Sequence, residues 1–214
     1  PTGNFGDVYA GYVAHRMGLP LERLIVATNT NDILAQSLTT GKHKLEEVTP
    51  TITPSMDIQI ASNFERLLFE IYDRNGLEIS RHMEALNSEG GYMIDPKRLD
   101  TARSLFTGIA IDETQTLNEM ARVHAETGLL IDPHTAVGVA AGRMHLATND
   151  ALVISLATAD PAKFPDSVER ATGQRPKPPD RLAEALASGE RYDVLTRDLK
   201  GLQAYIRNRS RVGI

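Results

Sequence analysis

The chain has 214 residues, of which 41% are hydrophobic and 24% charged, a balance that makes it globular and excludes a disordered polar chain. A net charge of -5 excludes the basic footprint of a nucleic-acid binder. The absence of cysteine excludes disulfides and thiolate metal sites and fits a reducing cytoplasm, and no apolar run approaches the ~18–20 residues of a membrane span.

Pro1-Thr2-Gly3-Asn4-Phe5-Gly6-Asp7 reads as a glycine-bearing loop that opens a helix over residues 8–18. Glycines at 3 and 6 free the backbone to fold around an anion. The first N–H groups of a helix have no intrahelical partner, and that end is the positive pole of the macrodipole, so loop and helix together make a phosphate cradle. The spacing fits neither the P-loop nor the dinucleotide fingerprint, and such a turn before a helix is as often only a turn. A phosphate loop of this kind follows a buried strand. None is present ahead of Pro1, so the chain is expected to lack an N-terminal portion of a longer protein.

Gly18 and Pro20 stop the first helix, and Leu24–Ala27 is a short apolar run of the buried parallel type. After the polar turn Thr28–Asp32 a helix is predicted over Ile33–Thr39. Residues 40–59 show no period and read as a long irregular loop, functional or mobile. Ser62 and Glu65 stand in the capping-box relation, ahead of a helix carrying Phe64, Leu67, Leu68, Ile71 and Tyr72 at helical spacing. Further helices are predicted over Ile79–Leu86 and Pro96–Ser104, with a turn at Gly90-Gly91.

Leu105–Ile111 is predicted as a strand, and Asp112–Gln115 caps the helix that follows it. Leu129–Ile131 and Ala151–Leu156 are predicted as two more strands, with a helix opening at Asp132-Pro133-His134-Thr135 between them. Three successive β-loop-helix units predict an α/β fold with a mostly parallel twisted sheet and helices on both faces. Residues 172–179 read as a surface connector. Helices over 181–187 and 192–207 close the chain, with Arg207, Arg209 and Arg211 as a solvated basic tail.

In an open α/β sheet, ligands sit beyond the carboxyl ends of the strands. That rule selects the loops Gly3–Asp7, Thr28–Asp32, Asp112–Gln115, Asp132–Thr135 and Ala157–Lys163. The six histidines form no His-x-x-x-His pair, so no metal site is predicted, and no Gly-x-Ser-x-Gly elbow points to a serine hydrolase. His124 reads as a core histidine, and His134 as a loop residue or a helix cap. Lys163 is placed to hold a phosphate or form an imine, or, more simply, to stand exposed in a first helical turn.

Several segments taken together resemble threonine synthase: Pro1–Asp7, Ala27–Asp32, Ser55-Met56-Asp57-Ile58, Ser62-Asn63-Phe64-Glu65-Arg66, Asp132–Gly138 and Thr158–Phe164. They fall in that family's order and span most of the chain. The resemblance implies a fold-type II pyridoxal phosphate enzyme. Residues 1–214 would be one portion of its large, cofactor-binding domain, with the N-terminal part absent. The implied reaction is a lyase converting O-phospho-L-homoserine and water into L-threonine and phosphate, in the cytoplasm, with no nucleic acid or membrane partner.

In the implied site, Gly3, Asn4, Phe5, Gly6 and Asp7 hold the cofactor phosphate, and Thr158 meets the pyridine nitrogen. The family's Schiff-base lysine lies upstream of the phosphate loop. None of Lys42, Lys44, Lys97, Lys163, Lys177 or Lys200 matches its motif, so the chain is expected to be inactive by itself. At position 160 the chain has Asp where the family more often has His. Two readings stand beside this one: another fold-type II lyase such as a threonine dehydratase, and a non-catalytic phosphate-binding domain.

Overall fold

The structure is a computed structural model that describes residues 1–148 and 150–211. They fall into two compact units, residues 1–177 and residues from 178 onward.

The centre of the first unit is a parallel pair of strands, β1 (Leu24–Thr28) and β4 (Phe106–Ala110), in register from Leu24 opposite Phe106 to Thr28 opposite Ala110. Strand periodicity divides their side chains between two cores. Leu24, Val26 and Phe106 face one core with α1 (Gly6–Arg16), α2 (Ile33–Thr40) and α3 (Phe64–Ile71). Ile25, Ala27 and Ile109 face the other, against Val137, Ala140 and Ala141 of α7 (Pro133–Leu146). The expected parallel α/β arrangement with helices on both faces is therefore present. Gly108 is glycine because a Cβ there would stand 2.6 Å from the Ala35 Cα, so α2 lies directly on β4.

The crossover from β1 to β4 runs through α2, β2 (Lys42–Lys44), α3, α4 (Gly76–Glu89), β3 (Gly91–Met93) and α5 (Pro96–Arg103). β2 and β3 form a short antiparallel pair. Residues 40–59 are thus less irregular than expected, since they hold β2 and a short 3-10 turn at Pro54–Met56. Buried His43 of β2 stacks between Phe64 and Tyr92, with ring centroids 5.4 and 4.7 Å away, and its Nδ1 lies 2.7 Å from the Ser37 hydroxyl.

The predicted cap at Ser62 is corrected. The residue before α3 is Asn63, and no side chain caps the helix. The cap at Asp112 is as expected, a reciprocal capping box with Gln115 at the head of α6 (Glu113–Thr127). α6 packs on α7 and on α8 (Pro165–Thr172) around Met120, Ala136 and Val168. Arg143 ties α7 to α6, its Nε 2.5 Å from the carboxylate of largely buried Glu119.

Two predicted strands are not strands. Residues 129–131 and 151–156 carry no ladder. Residues 151–156 lie on α7, where Gly142 leaves room for Val153 and Gly138 for Ser155. Leu152 and Ile154 are 91% and 76% exposed.

The second unit contains α9 (Asp180–Ala187) and α10 (Leu199–Arg209). The last helix starts at Leu199 rather than 192, capped by the Asp198 side chain on the Gly201 N–H. Arg209, expected to be merely solvated, pairs with Asp193 at 3.0 Å and lies over the Tyr205 ring. Among the described residues no helix is long and apolar enough to cross a membrane.

Candidate functional site

The loop ahead of α1 is built by its own short side chains. The Thr2 N–H donates to the Ala27 carbonyl at 2.9 Å, which anchors the loop to the end of β1. The Thr2 hydroxyl accepts from the Phe5 N–H at 3.0 Å, and the Asn4 amide oxygen accepts from the Gly6 N–H at 2.9 Å. Phe5 is left-handed, φ 69° and ψ 8°, a conformation that is costly without glycine. Its ring holds it there: fully buried, it lies edge-on to Phe64 at 5.3 Å and near Phe106 at 5.9 Å.

A left-handed residue followed by a right-handed one turns successive N–H groups into one concavity, an anion-binding nest. The nest here is Phe5 followed by Gly6, at the positive end of α1. The N–H groups of Gly3, Asn4 and Asp7 meet no acceptor among the described residues. Gly3, Asn4, Gly6 and Asp7 are therefore together at the protein surface. Phe5 contributes only backbone, since its side chain belongs to the core. Gly3 has a reason of its own: a Cβ there would stand 2.8 Å from the Ser55 carbonyl oxygen.

Ser55 belongs to a loop that a carboxylate holds in place. Asp57 accepts from the Asn29 amide at 2.7 Å, the Asn31 amide at 3.0 Å, the Thr51 hydroxyl at 2.7 Å and the Thr51 N–H at 2.8 Å. This cluster ties the loop after β1 to residues 49–57 and so sets the wall against Gly3. Sequence reasoning noted both segments but missed that Asp57 joins them. The signal was the density of Asn, Thr and Asp in two loops that carry few apolar residues.

The third wall is the head of α7. Asp132 caps it through the His134 and Thr135 N–H groups, and its carboxylate also meets the His134 ring and the Thr135 hydroxyl. Burial alone would raise the Asp132 carboxyl, but the hydrogen bonds from His134 and Thr135 outweigh it and hold the group below its ordinary value. His134 is thus neither a free loop residue nor the cap, but the partner of the cap. Its Nε2 is buried without a protein partner among the described residues, as is the Thr28 hydroxyl at the end of β1.

Thr158 is exposed, and its N–H donates to the Thr135 hydroxyl at 3.3 Å. It follows an extended segment rather than the expected sheet strand. Farther along α7, a Cβ on Gly138 would stand 2.6 Å from Pro1 and 2.7 Å from Ser155, so the start of the loop and the approach to Thr158 meet on one helix. Asp160 caps the short turn Pro161–Lys163, and Lys163 lies over the Phe164 ring.

Comparison with known proteins points the same way. The family model for the C-terminal part of threonine synthase matches residues 135–206. The chain is 42% identical to threonine synthase from Pseudomonas aeruginosa over 96% of its length. The chain belongs to the threonine synthase family. It is 36% identical to the threonine synthase of Corynebacterium glutamicum, again over 96% of its length, and it spans 44% of each of these two relatives. A crystal structure of PLP-bound threonine synthase from Brucella melitensis superposes with a TM-score of 0.90 at 45% identity, covering 99% of this chain and 46% of that one. Threonine synthase from yeast superposes with a TM-score of 0.78 at 34% identity.

Proposed function

We propose that the chain supplies the phosphate cradle and the ring-nitrogen contact of a pyridoxal 5'-phosphate site. In this reading the whole protein converts O-phospho-L-homoserine and water into L-threonine and phosphate. The observation that carries the reading is the nest at Phe5-Gly6 on the end of α1, in a chain of this family. When bound, the cofactor supplies an electron sink for carbon acids.

The Gly3, Asn4 and Asp7 N–H groups, unmet among the described residues, would hold the phosphate group. The Phe5 and Gly6 N–H groups are already met within the loop, by the Thr2 hydroxyl and the Asn4 amide oxygen. The Asp57 cluster holds the wall beside Gly3 and fixes the width of the cradle. Thr158 offers a hydroxyl with no charge, which hydrogen-bonds a pyridine nitrogen without forcing its protonation. Its position is set by a chain of bonds from Asp132 through Thr135 to the Thr158 N–H.

Catalysis also needs a lysine for the cofactor, and Lys42, Lys44 and Lys163 do not meet the cradle. Lys163 lies over Phe164, and Lys42 and Lys44 are exposed on β2. In this reading turnover belongs to the whole protein and not to these residues alone, in a chain that spans 44% of each of two relatives. A cytoplasmic setting accords with the absence of cysteine.

The test is an assay of the full-length protein on O-phospho-L-homoserine, reading threonine and inorganic phosphate together. Equal release of both is the expected result. Ammonia release from threonine instead would make it a dehydratase, and cofactor binding without either product would leave a binding domain.

A further inference from the structure

Asn75-Gly76 is the single Asn-Gly pair in the sequence, and every other asparagine precedes a residue with a side chain. The pair stands at the head of α4, where Asn75 is the N-cap. The turn leading to it is strained, since Asp73 and Arg74 are both left-handed, with φ 54° and 62°. Neighbouring helices hold those two residues. The Arg74 N–H donates to the Phe69 carbonyl at 2.8 Å, and its guanidinium pairs with Glu70 at 3.1 Å. The Asp73 carboxylate pairs with Arg98 of α5 at 2.7 Å.

The cap that follows is weaker. Asp95, Asp112, Asp132 and Asp198 cap α5, α6, α7 and α10 with carboxylates. Asn75 offers only a neutral amide oxygen, which lacks the charge that strengthens such bonds and that the helix dipole attracts. Its bonds are long: 3.1 Å from the Leu77 N–H, 3.4 Å from the Glu78 N–H, and 3.3 Å from the Ile79 N–H to the Asn75 carbonyl. The corresponding bond from the Gln115 N–H to Asp112 is 2.8 Å.

The groups that could react are open. The Gly76 N–H meets no acceptor among the described residues, and the Asn75 side-chain nitrogen donates to none. Both residues are exposed, and a Cβ on Gly76 would meet nothing within 4 Å. Ring closure must turn the peptide away from its present setting, Asn75 ψ 94°, and neither packing nor a firm cap opposes that turn. The other asparagines are better held. Asn29 and Asn31 are buried and donate to Asp57, and Asn87 and Asn118 lie inside α4 and α6.

We propose that Asn75 is a spontaneous deamidation site that works through Gly76. The Gly76 nitrogen gives its proton to hydroxide and bonds to the side-chain carbonyl carbon of Asn75. The bond from that carbon to the side-chain nitrogen breaks, and ammonia leaves with a proton from water. Water then opens the succinimide, at the side-chain carbonyl to give aspartate or at the main-chain carbonyl to give isoaspartate. The two products act oppositely on α4. Aspartate supplies the carboxylate cap that the other helices have. Isoaspartate lengthens the backbone by a methylene and withdraws the cap. The inference does not depend on the phosphate reading.

The experiment ages the full-length protein in mildly alkaline buffer and maps each asparagine peptide by mass spectrometry, with isoaspartate read by enzymatic methyl transfer. Asn75 should convert about tenfold faster than any other asparagine, and Gly76→Ala, whose Cβ has room, should slow it about tenfold. Asn75→Asp should slow amide exchange at Leu77 and Glu78, and the isoaspartate fraction of the aged protein should speed it, each by about threefold or more. Conversion of other asparagines ahead of Asn75, conversion of Asn75 only after urea has unfolded the protein, or an unchanged rate in Gly76→Ala would overturn the site.

Discussion

Residues 24–28 and residues 151–156 line the same groove and differ in almost every physical respect. Val26 is fully buried, its backbone is paired with β4, and helices cover both faces of the strand. Residues 151–156 have one helix beneath them, no ladder, and Leu152, Ile154 and Leu156 in solvent. Both are short apolar runs. What separates them is the partner, because a strand is stabilised by cross-strand neighbours more than by the preference of its own residues. Exposed apolar side chains on an unpaired extended segment also mark where association would occur.

The comparison can be broken hardest on the buried side. Phe5→Ala removes a fully buried ring that contacts Phe64 and Phe106 and also holds a left-handed backbone, so it should cost about 3–5 kcal/mol in urea unfolding. A loss under about 1 kcal/mol would mean that the loop does not depend on that core.

Acid should weaken the same core through His43. Burial, reinforced by His82, lowers this histidine from 6.5 to about 4. The native state therefore refuses a proton that the unfolded chain accepts. Stability is fully present above pH 6.5 and falls as the pH drops towards 4, by about 2 kcal/mol at pH 5. Comparing urea midpoints at pH 7 and pH 5 for the wild type and His43→Gln checks this, and the variant should show a smaller drop.

The support under residues 151–156 is α7, which Arg143 ties to α6. Arg143→Ala would leave Glu119 largely buried without its cation, and should cost about 1–3 kcal/mol, reduced by the partial exposure of the guanidinium. Thermal unfolding at matched salt measures it.

The smallest effect belongs to the unpaired segment. Leu152→Ser should change the stability of this chain by less than about 0.5 kcal/mol, because the side chain is already in water. It should also reduce any concentration-dependent association read by sedimentation. A loss above about 1 kcal/mol would show that Leu152 is packed after all.

These contrasts explain what could be read in advance. β1, β4, the capping box at Asp112 and the apolar face of α3 were legible because local period and caps agreed with the tertiary environment. Residues 151–156 have the composition of a strand, yet pairing is non-local and one sequence does not contain it. β2 was hidden because Lys42-His43-Lys44 has a single inward side chain, and that one is a histidine held by stacking and by Ser37.

In the candidate site, Gly3–Asp7 was legible from its glycines and the helix behind it. The left-handed residue, however, is Phe5 and not a glycine, because burial of the ring outweighs the backbone cost. The role of Asp57 was not legible. Four hydrogen bonds converge on it from Asn29, Asn31 and Thr51, and only the fold brings those residues together.

The central claim is that the loop from Pro1 to Asp7 cradles a phosphate group. The most direct measurement is an NMR titration of the chain with pyridoxal 5'-phosphate, and separately with inorganic phosphate, following backbone amides. The account predicts that Gly3, Asn4 and Asp7 shift first and furthest in both titrations, with the Thr158 amide joining only when the pyridine ring is present. Shifts spread over exposed lysines and arginines, with those loop amides unmoved, would contradict it.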